Sequence, residues 1–223
     1  MSLATVYCTD EDLLVRAPAD YLNLCPKSQV LAQATDGVFA AGARWTLTSA
    51  ATDFVAAGVA AGHVVALTAP RSAFPNPGGL LLVVDAVATG SIVLRRPGMT
   101  AGVGLPPGPA AGLTGVSFTV PYYAPQIDQA SYDVNAAVGV DPADADRAPS
   151  RLYDVRELRR LTVLTVLKRL YVAAEKTAAG DYALRLADVS PELGELRSGL
   201  VVHWGEARDS EPPDSVFASR LRR

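Results

Sequence analysis

Cysteine and histidine are scarce in this 223-residue chain, which contains two of each. Cys8 and Cys25 are too few for a disulfide framework and do not form a Cys-x-x-Cys pair, so we expect two free thiols. His63 and His203 lie far apart in the sequence, each in an apolar stretch, which argues against a shared metal site. The sequence therefore predicts neither a bound metal nor a cofactor.

The chain also lacks excess charge and long apolar runs. The net charge of -3 and the pI near 5.4 provide no overall basic field for binding nucleic acid through its phosphates. No apolar run is long enough to span a membrane, and the first residues lack the basic segment and apolar run of a signal peptide. We therefore expect a protein that is made in the cytoplasm and has no membrane partner.

The motifs of common catalytic sites are missing as well. No serine stands in a Gly-x-Ser-x-Gly elbow, and no glycine-rich loop ends in Gly-Lys-Ser/Thr. Asp141, Asp144 and Asp146 alternate as in a calcium loop, but Pro142 and the missing glutamate at the last loop position argue against calcium. These features favour a structural or binding protein over an enzyme.

Helical periodicity is strong between residues 126 and 179. The first helix has small and apolar residues at three- and four-residue spacing: Ile127, Ala130, Ser131, Val134, Ala137 and Val138. A turn with two prolines follows, and a second helix begins at about Asp154. Because the second helix is apolar on more than one face, we expect it to be central in the fold or shared between subunits. Shorter helices are expected after Thr9 and after Gly180.

Residues 36–123 have a different character, with little charge and with short apolar runs separated by glycine and proline. This pattern predicts strands at residues 44–49, 63–68, 80–87, 91–95 and 116–120. The predicted fold class is α+β. A helical bundle, with a short N-terminal helix, a long antiparallel helical hairpin and a C-terminal helix, occupies residues 1–35 and 124–204. A small β-barrel or sandwich is inserted at residues 36–123, and an extended tail covers residues 205–223.

The helices resemble the head-to-tail connector, or adaptor, proteins of tailed bacteriophages. The resemblance rests on a short N-terminal helix at residues 7–13, a helix like residues 127–135, and a long helix like residues 158–171. In the β region, Asp53-Phe54, Gly58-Val59 and Gly62-His63 precede a valine-rich hairpin. That order is similar to the small β-modules of phage neck proteins, although His63 stands where those modules usually have an acidic residue.

The resemblance implies a non-enzymatic virion protein of the phage neck, made in the host bacterial cytoplasm. About twelve copies would form a closed ring that joins the portal to the next neck or tail ring. DNA would pass through it, without sequence specificity, during packaging and ejection. Basic residues that could face this channel, or solvent alone, are Arg156, Arg159, Arg160, Lys168 and Arg169. Residues that could dock on the portal or on a neighbouring subunit are Val216, Phe217, Arg220, Leu221, Arg222 and Arg223.

The alternative interpretation is a ligand- or carbohydrate-binding β-module on a helical base. Three aromatic residues, Trp45, Tyr122 and Tyr123, would then form the platform on which a sugar ring stacks. This alternative predicts a monomer with a binding cleft.

Overall fold

The structure is a computed structural model, in which the chain forms two compact units. One is Thr9–Tyr123; the other combines Met1–Cys8 with Ala124–Arg223. The residues described are 5–40, 45–76, 78–99, 112–141, 143–144, 146–152, 155–177 and 182–204, together with the backbone of Phe217–Arg220. No described helix combines the length and apolar composition needed to cross a membrane.

The first unit is a closed, antiparallel, six-stranded β-barrel with one helix. Its elements are α1 (Asp10–Arg16), β1 (Val30–Phe39), β2 (Thr46–Thr48), β3 (Val64–Ala69), β4 (Leu80–Ala88), β5 (Ser91–Arg95) and β6 (Leu113–Pro121). The strand order is β1-β2-β5-β4-β3-β6, and β6 pairs with β1 to close the barrel. Closure leaves no free edge among the described strands of this unit.

Large apolar side chains fill the barrel interior. Phe39, Leu47 and Phe54 are fully buried, and the ring centroids of Phe54 and Phe118 are 5.5 Å apart. The β3 residues from Val64 to Leu67 are buried on both faces of the strand. Because α1 packs against β3, that strand carries a continuous apolar run instead of the usual alternation.

A half-buried ion pair ties α1 to the end of β5. The carboxylate of Glu11 accepts hydrogen bonds from both Nη atoms of Arg95, one at 2.6 Å, and from the backbone N–H of Gly98 at 2.8 Å. The hydrogen bonds from Arg95 lower the pKa of Glu11. The stability contributed by this pair is therefore present above the ordinary glutamate pKa and is lost as the pH falls through the lowered value.

We expect Glu11→Gln to reduce the free energy of unfolding at pH 7 by about 1.5–3 kcal/mol, because it removes the charge from a two-pronged ion pair. Glu192→Gln is the matched control, since it acts on the more exposed pair between Arg160 and Glu192 and should cost less than about 1 kcal/mol. Urea unfolding of both variants measures the difference. Equal losses would show that the Glu11–Arg95 pair stabilises the protein no more than a surface pair does.

The described residues of the second unit form three α-helices and a two-stranded sheet: α2 (Ala124–Val138), α3 (Arg156–Thr177), α4 (Ala183–Gly199), β7 (Val201–Trp204) and β8 (Phe217–Arg220). Gly139, at φ +79°, ends α2 in a left-handed conformation that suits glycine. Helix α3 contacts both α2 and α4, and its residues 161–167 are buried on all sides. The helix predicted to be central or shared between subunits is thus central within one chain.

Polar contacts fix the helices of this unit to one another and to the N-terminal segment. Asp133 of α2 accepts hydrogen bonds from Gln129 and from Arg169 of α3. The Tyr7 hydroxyl donates to Asn135 on α2, and the Tyr7 backbone N–H donates to the Ser131 hydroxyl at 3.5 Å. The segment that precedes α1 therefore packs on α2.

The predicted fold class, a helical bundle with an inserted barrel, is wrong. The structure is a closed six-stranded antiparallel barrel with four helices among its described residues. The prediction assigned residues 1–35 to the helical part, whereas the barrel unit begins at Thr9 and its first strand begins at Val30. Strand β1 was missed because polar residues and a bulge between Ala34 and Gly37 interrupt its apolar alternation.

Part of the predicted extended tail, Phe217–Arg220, forms strand β8. The backbone of β8 pairs with β7 in an antiparallel register that joins Val201 to Arg220 and Trp204 to Phe217. A four-residue apolar strand can form such a ladder with any chain of extended backbone, because the ladder uses main-chain groups. Sequence periodicity alone could not choose between a partner within the chain and one outside it.

A basic groove between α3 and α4

A groove of about 580 Å³ lies between α3 and α4. Its basic residues are Lys168, Arg169, Lys176 and Arg197, and its floor includes Val172 and Leu193. We call this site the α3–α4 groove. Among the described residues, no acidic side chain lines it.

The helical repeat explains why these side chains share one surface. On α3, Lys168, Val172 and Lys176 are four residues apart, so they stand one above the other on the same face. Leu193 and Arg197 have the same spacing on α4. Each helix thus presents an apolar side chain beside basic ones, with Leu193 buried and Val172 37% exposed.

Most of the positive charge in the groove is not neutralised by neighbouring carboxylates. Arg169 forms an ion pair with Asp133. In the part of the chain that the structure describes, Lys168, Lys176 and Arg197 have no ion-pair partner, and the last two are exposed. Cations around an apolar floor suit a ligand that carries negative charge beside apolar groups.

The five basic residues predicted to face a channel or solvent fall into two groups along α3. Arg156, Arg159 and Arg160 lie in the first turns of the helix and are not among the residues that line the groove. Arg160 is held by Glu192 at 2.9 Å. Lys168 and Arg169 line the groove.

Two of the four basic residues of the groove, Lys176 and Arg197, are not among the site residues predicted from the sequence. Lys176 could have been found, because it repeats the spacing of Lys168 and Val172 on the same helix face. Arg197 gave no such signal, since it reaches the groove only through the packing of α4 on α3. The predicted docking residues Val216, Leu221, Arg222 and Arg223 lie outside the described residues, as do the side chains of Phe217 and Arg220.

A second polar cluster lies inside the barrel unit, around Asp10. The Asp10 side chain is buried and accepts a hydrogen bond from the Tyr123 backbone N–H at 3.2 Å. Burial raises its pKa to about 7. The Tyr123 hydroxyl donates to the Tyr21 carbonyl oxygen, while the buried Tyr21 hydroxyl has no hydrogen-bond partner among the residues that the structure describes. Burial and the nearby Asp10 raise the pKa of Tyr21 well above its usual value, which keeps this phenol neutral.

The remaining candidates have structural roles. The His63 imidazole accepts a hydrogen bond at Nδ1 from the Ala60 N–H at 3.1 Å and meets the Tyr122 ring edge-on; burial lowers its pKa. Asp141 and Asp144 accept hydrogen bonds from backbone N–H groups two residues later, as in Asx turns. No group of three or more His, Cys, Asp or Glu residues in the described part of the chain could hold a metal ion.

The aromatic platform of the alternative interpretation does not form from the three predicted residues. Tyr123 is only 1% exposed, so its ring offers no face to a sugar. Trp45 packs against the barrel core, and Tyr122 contacts His63. The geometry therefore does not favour carbohydrate binding at this set.

No protein-family model, curated protein or solved structure matches the chain.

Proposed function

We propose that the protein is a structural component of a tailed-phage neck, where its copies form a ring between the portal and the next neck or tail ring. The observation that supports this proposal is the packing of two of the three connector-like helices, α2 and α3, in one unit. Tyr7 hydrogen-bonds to α2, and α2 packs on α3 and is tied to it by the ion pair between Asp133 and Arg169. Segments far apart in sequence thus form one helical unit.

The two compact units suggest a division of roles within such a ring. In our proposal the helical unit makes the contacts between copies and carries the basic surface near passing DNA. The barrel contacts the next ring. The first-turn arginines Arg156 and Arg159 are exposed, as a surface that meets DNA without sequence specificity requires.

The proposal predicts a ring in solution or on the portal. The purified 23.3-kDa chain is measured by native mass spectrometry, alone and mixed with portal rings of the same phage. A closed oligomer of about twelve copies should be present in at least one of the two samples. Deleting residues 206–223 should prevent its capture by the portal, because the predicted docking residues are lost. The thermal unfolding midpoint of the deletion variant should be measured in parallel, so that loss of folding is not mistaken for loss of docking. A full-length chain that stays monomeric and ignores the portal would contradict the proposal.

A further inference from the structure

The α3–α4 groove has a charge and shape pattern that can be compared with a ligand. Along α3 the pattern is cation, apolar residue, cation, given by Lys168, Val172 and Lys176. Eight residues of helix rise about 12 Å, which sets the distance between the two lysine backbones. A fitting ligand has two anionic groups about this far apart and an apolar segment between them.

One segment of the chain itself has the complementary pattern. Residues 205–216 contain four carboxylates, Glu206, Asp209, Glu211 and Asp214, against the single cation of Arg208. Within it, Glu211-Pro212-Pro213-Asp214 places two prolines between two acids. Consecutive prolines favour an extended polyproline conformation that rises about 3.1 Å per residue, so a segment bound in that conformation would place these two acids about 9 Å apart. Flexible lysine side chains easily span the remaining difference.

We propose that the α3–α4 groove binds the acidic segment 205–216 of a second copy of this chain. Glu211 and Asp214 would pair with Lys176 and Lys168, and the prolines would cover Val172. The proposal rests on the proposed function, since it supplies the contact between neighbouring copies in the ring.

Ring symmetry favours a second copy as the occupant. A cyclic ring requires a heterologous contact, in which two different surfaces of the same chain meet. The groove and the acidic segment are two such surfaces, and their charges are opposite. Duplex DNA is a weaker fit, because its phosphate backbone offers no apolar group for the floor formed by Val172 and Leu193.

The test is a charge exchange in the full-length chain. One variant reverses the groove (Lys168→Glu with Lys176→Glu), and another reverses the segment (Glu211→Lys with Asp214→Lys). Each variant alone should self-associate at least about tenfold more weakly than the wild type in sedimentation velocity runs over a concentration series. A mixture of the two should recover association, because each groove then meets an oppositely charged segment on the other chain.

Two controls separate the groove from general charge and folding effects. Lys27→Glu with Arg96→Glu makes the same change of net charge on exposed residues of the barrel unit, and its self-association should match that of the wild type. Lys176→Glu with Arg197→Glu reverses two exposed groove residues and avoids the half-buried Lys168; it should weaken association like the first groove variant. Equal thermal midpoints confirm that all variants are folded.

Several outcomes would overturn the inference. Suppose that the mixture does not recover self-association, whereas a single chain that carries all four reversals does. The segment then binds the groove of its own chain. If the groove variants lose duplex DNA binding and keep self-association, the groove is a DNA surface. A groove variant that still forms rings contradicts the inference and leaves the proposed function standing. A wild-type chain that is monomeric at every concentration, yet is captured by the portal, also contradicts the inference and leaves the proposed function standing.

Discussion

Replacing Gly79 by alanine is expected to lower the free energy of unfolding of the barrel unit by about 2–5 kcal/mol. Gly79 stands just before β4 at φ +73°, a conformation that side chains strain. A Cβ atom there would lie 2.1 Å from the carbonyl oxygen of Leu67, which belongs to the paired strand β3. Because the obstacle is backbone, no change of side-chain rotamer can relieve the clash, and the β3–β4 pair must shift.

The neighbouring glycine provides the matched control. A Cβ at Gly78 would meet nothing within 4 Å, and its φ is not in the left-handed range. Gly78→Ala should therefore change stability by less than about 0.5 kcal/mol. Urea denaturation followed by circular dichroism compares the two midpoints. Similar midpoints for both variants would mean that the close approach of Gly79 to β3 is not required for the fold.

The predicted strands with dense apolar residues correspond closely to observed ones, but the closure of the barrel was not predictable. The predicted strand at residues 91–95 coincides with β5, and that at residues 80–87 differs from β4 by one residue. Strand order and register depend on pairings between distant segments, such as Phe118 with both Leu67 and Ala34. Local periodicity carries no information about such partners.

Asp36, a polar residue that interrupts the apolar alternation of β1, has a structural role. Asp36 accepts hydrogen bonds from the Ser49 hydroxyl at 2.7 Å and from the backbone N–H groups of Ala50 and Ala51. These bonds, led by that of Ser49, lower the pKa of Asp36. A residue that weakens the apolar alternation of a strand thus holds the loop after the next strand, and only the folded chain reveals this.

The helices were easier to predict than the groove that they form. Alpha-helical spacing in α2 and α3 depends on nearby residues, and even α4 continues through Pro191 because its apolar residues Val189 and Leu193 are buried. The groove needs the angle and offset between two helices, which depend on tertiary packing. For this reason the prediction included two of the four basic residues of the groove, both on α3, and none on α4.

The second large effect concerns the buried carboxyl of Asp10. In the unfolded chain this group has its ordinary pKa of 3.8, whereas burial raises the pKa to about 7 in the folded chain. Between these values the folded state holds the proton more tightly. The stability due to this group is therefore greatest below about pH 4, falls as the pH rises to about 7, and is constant above. A shift of about three pKa units corresponds to about 4 kcal/mol.

Asp10→Asn should remove this pH dependence, because the amide carries no charge and can still accept the hydrogen bond from the Tyr123 N–H. The difference in unfolding free energy between variant and wild type should move by about 3–4 kcal/mol in favour of the variant between pH 4.5 and pH 8. In this difference the contributions of other titrating groups to stability cancel, because variant and wild type share them. One such group is Glu11, whose contribution to stability has the opposite pH dependence.

The control for this titration is Asp128→Asn, at an exposed position of α2, whose difference from wild type should stay within about 0.5 kcal/mol over the same range. Urea unfolding at closely spaced pH values measures both curves. Burying an amide costs free energy, but this cost does not vary with pH. The prediction therefore concerns how the difference in unfolding free energy for Asp10→Asn changes with pH, and not its absolute value. A flat difference would show that Asp10 is solvated or paired when ionised, and the buried cluster with Tyr21 and Tyr123 would then have to open at neutral pH.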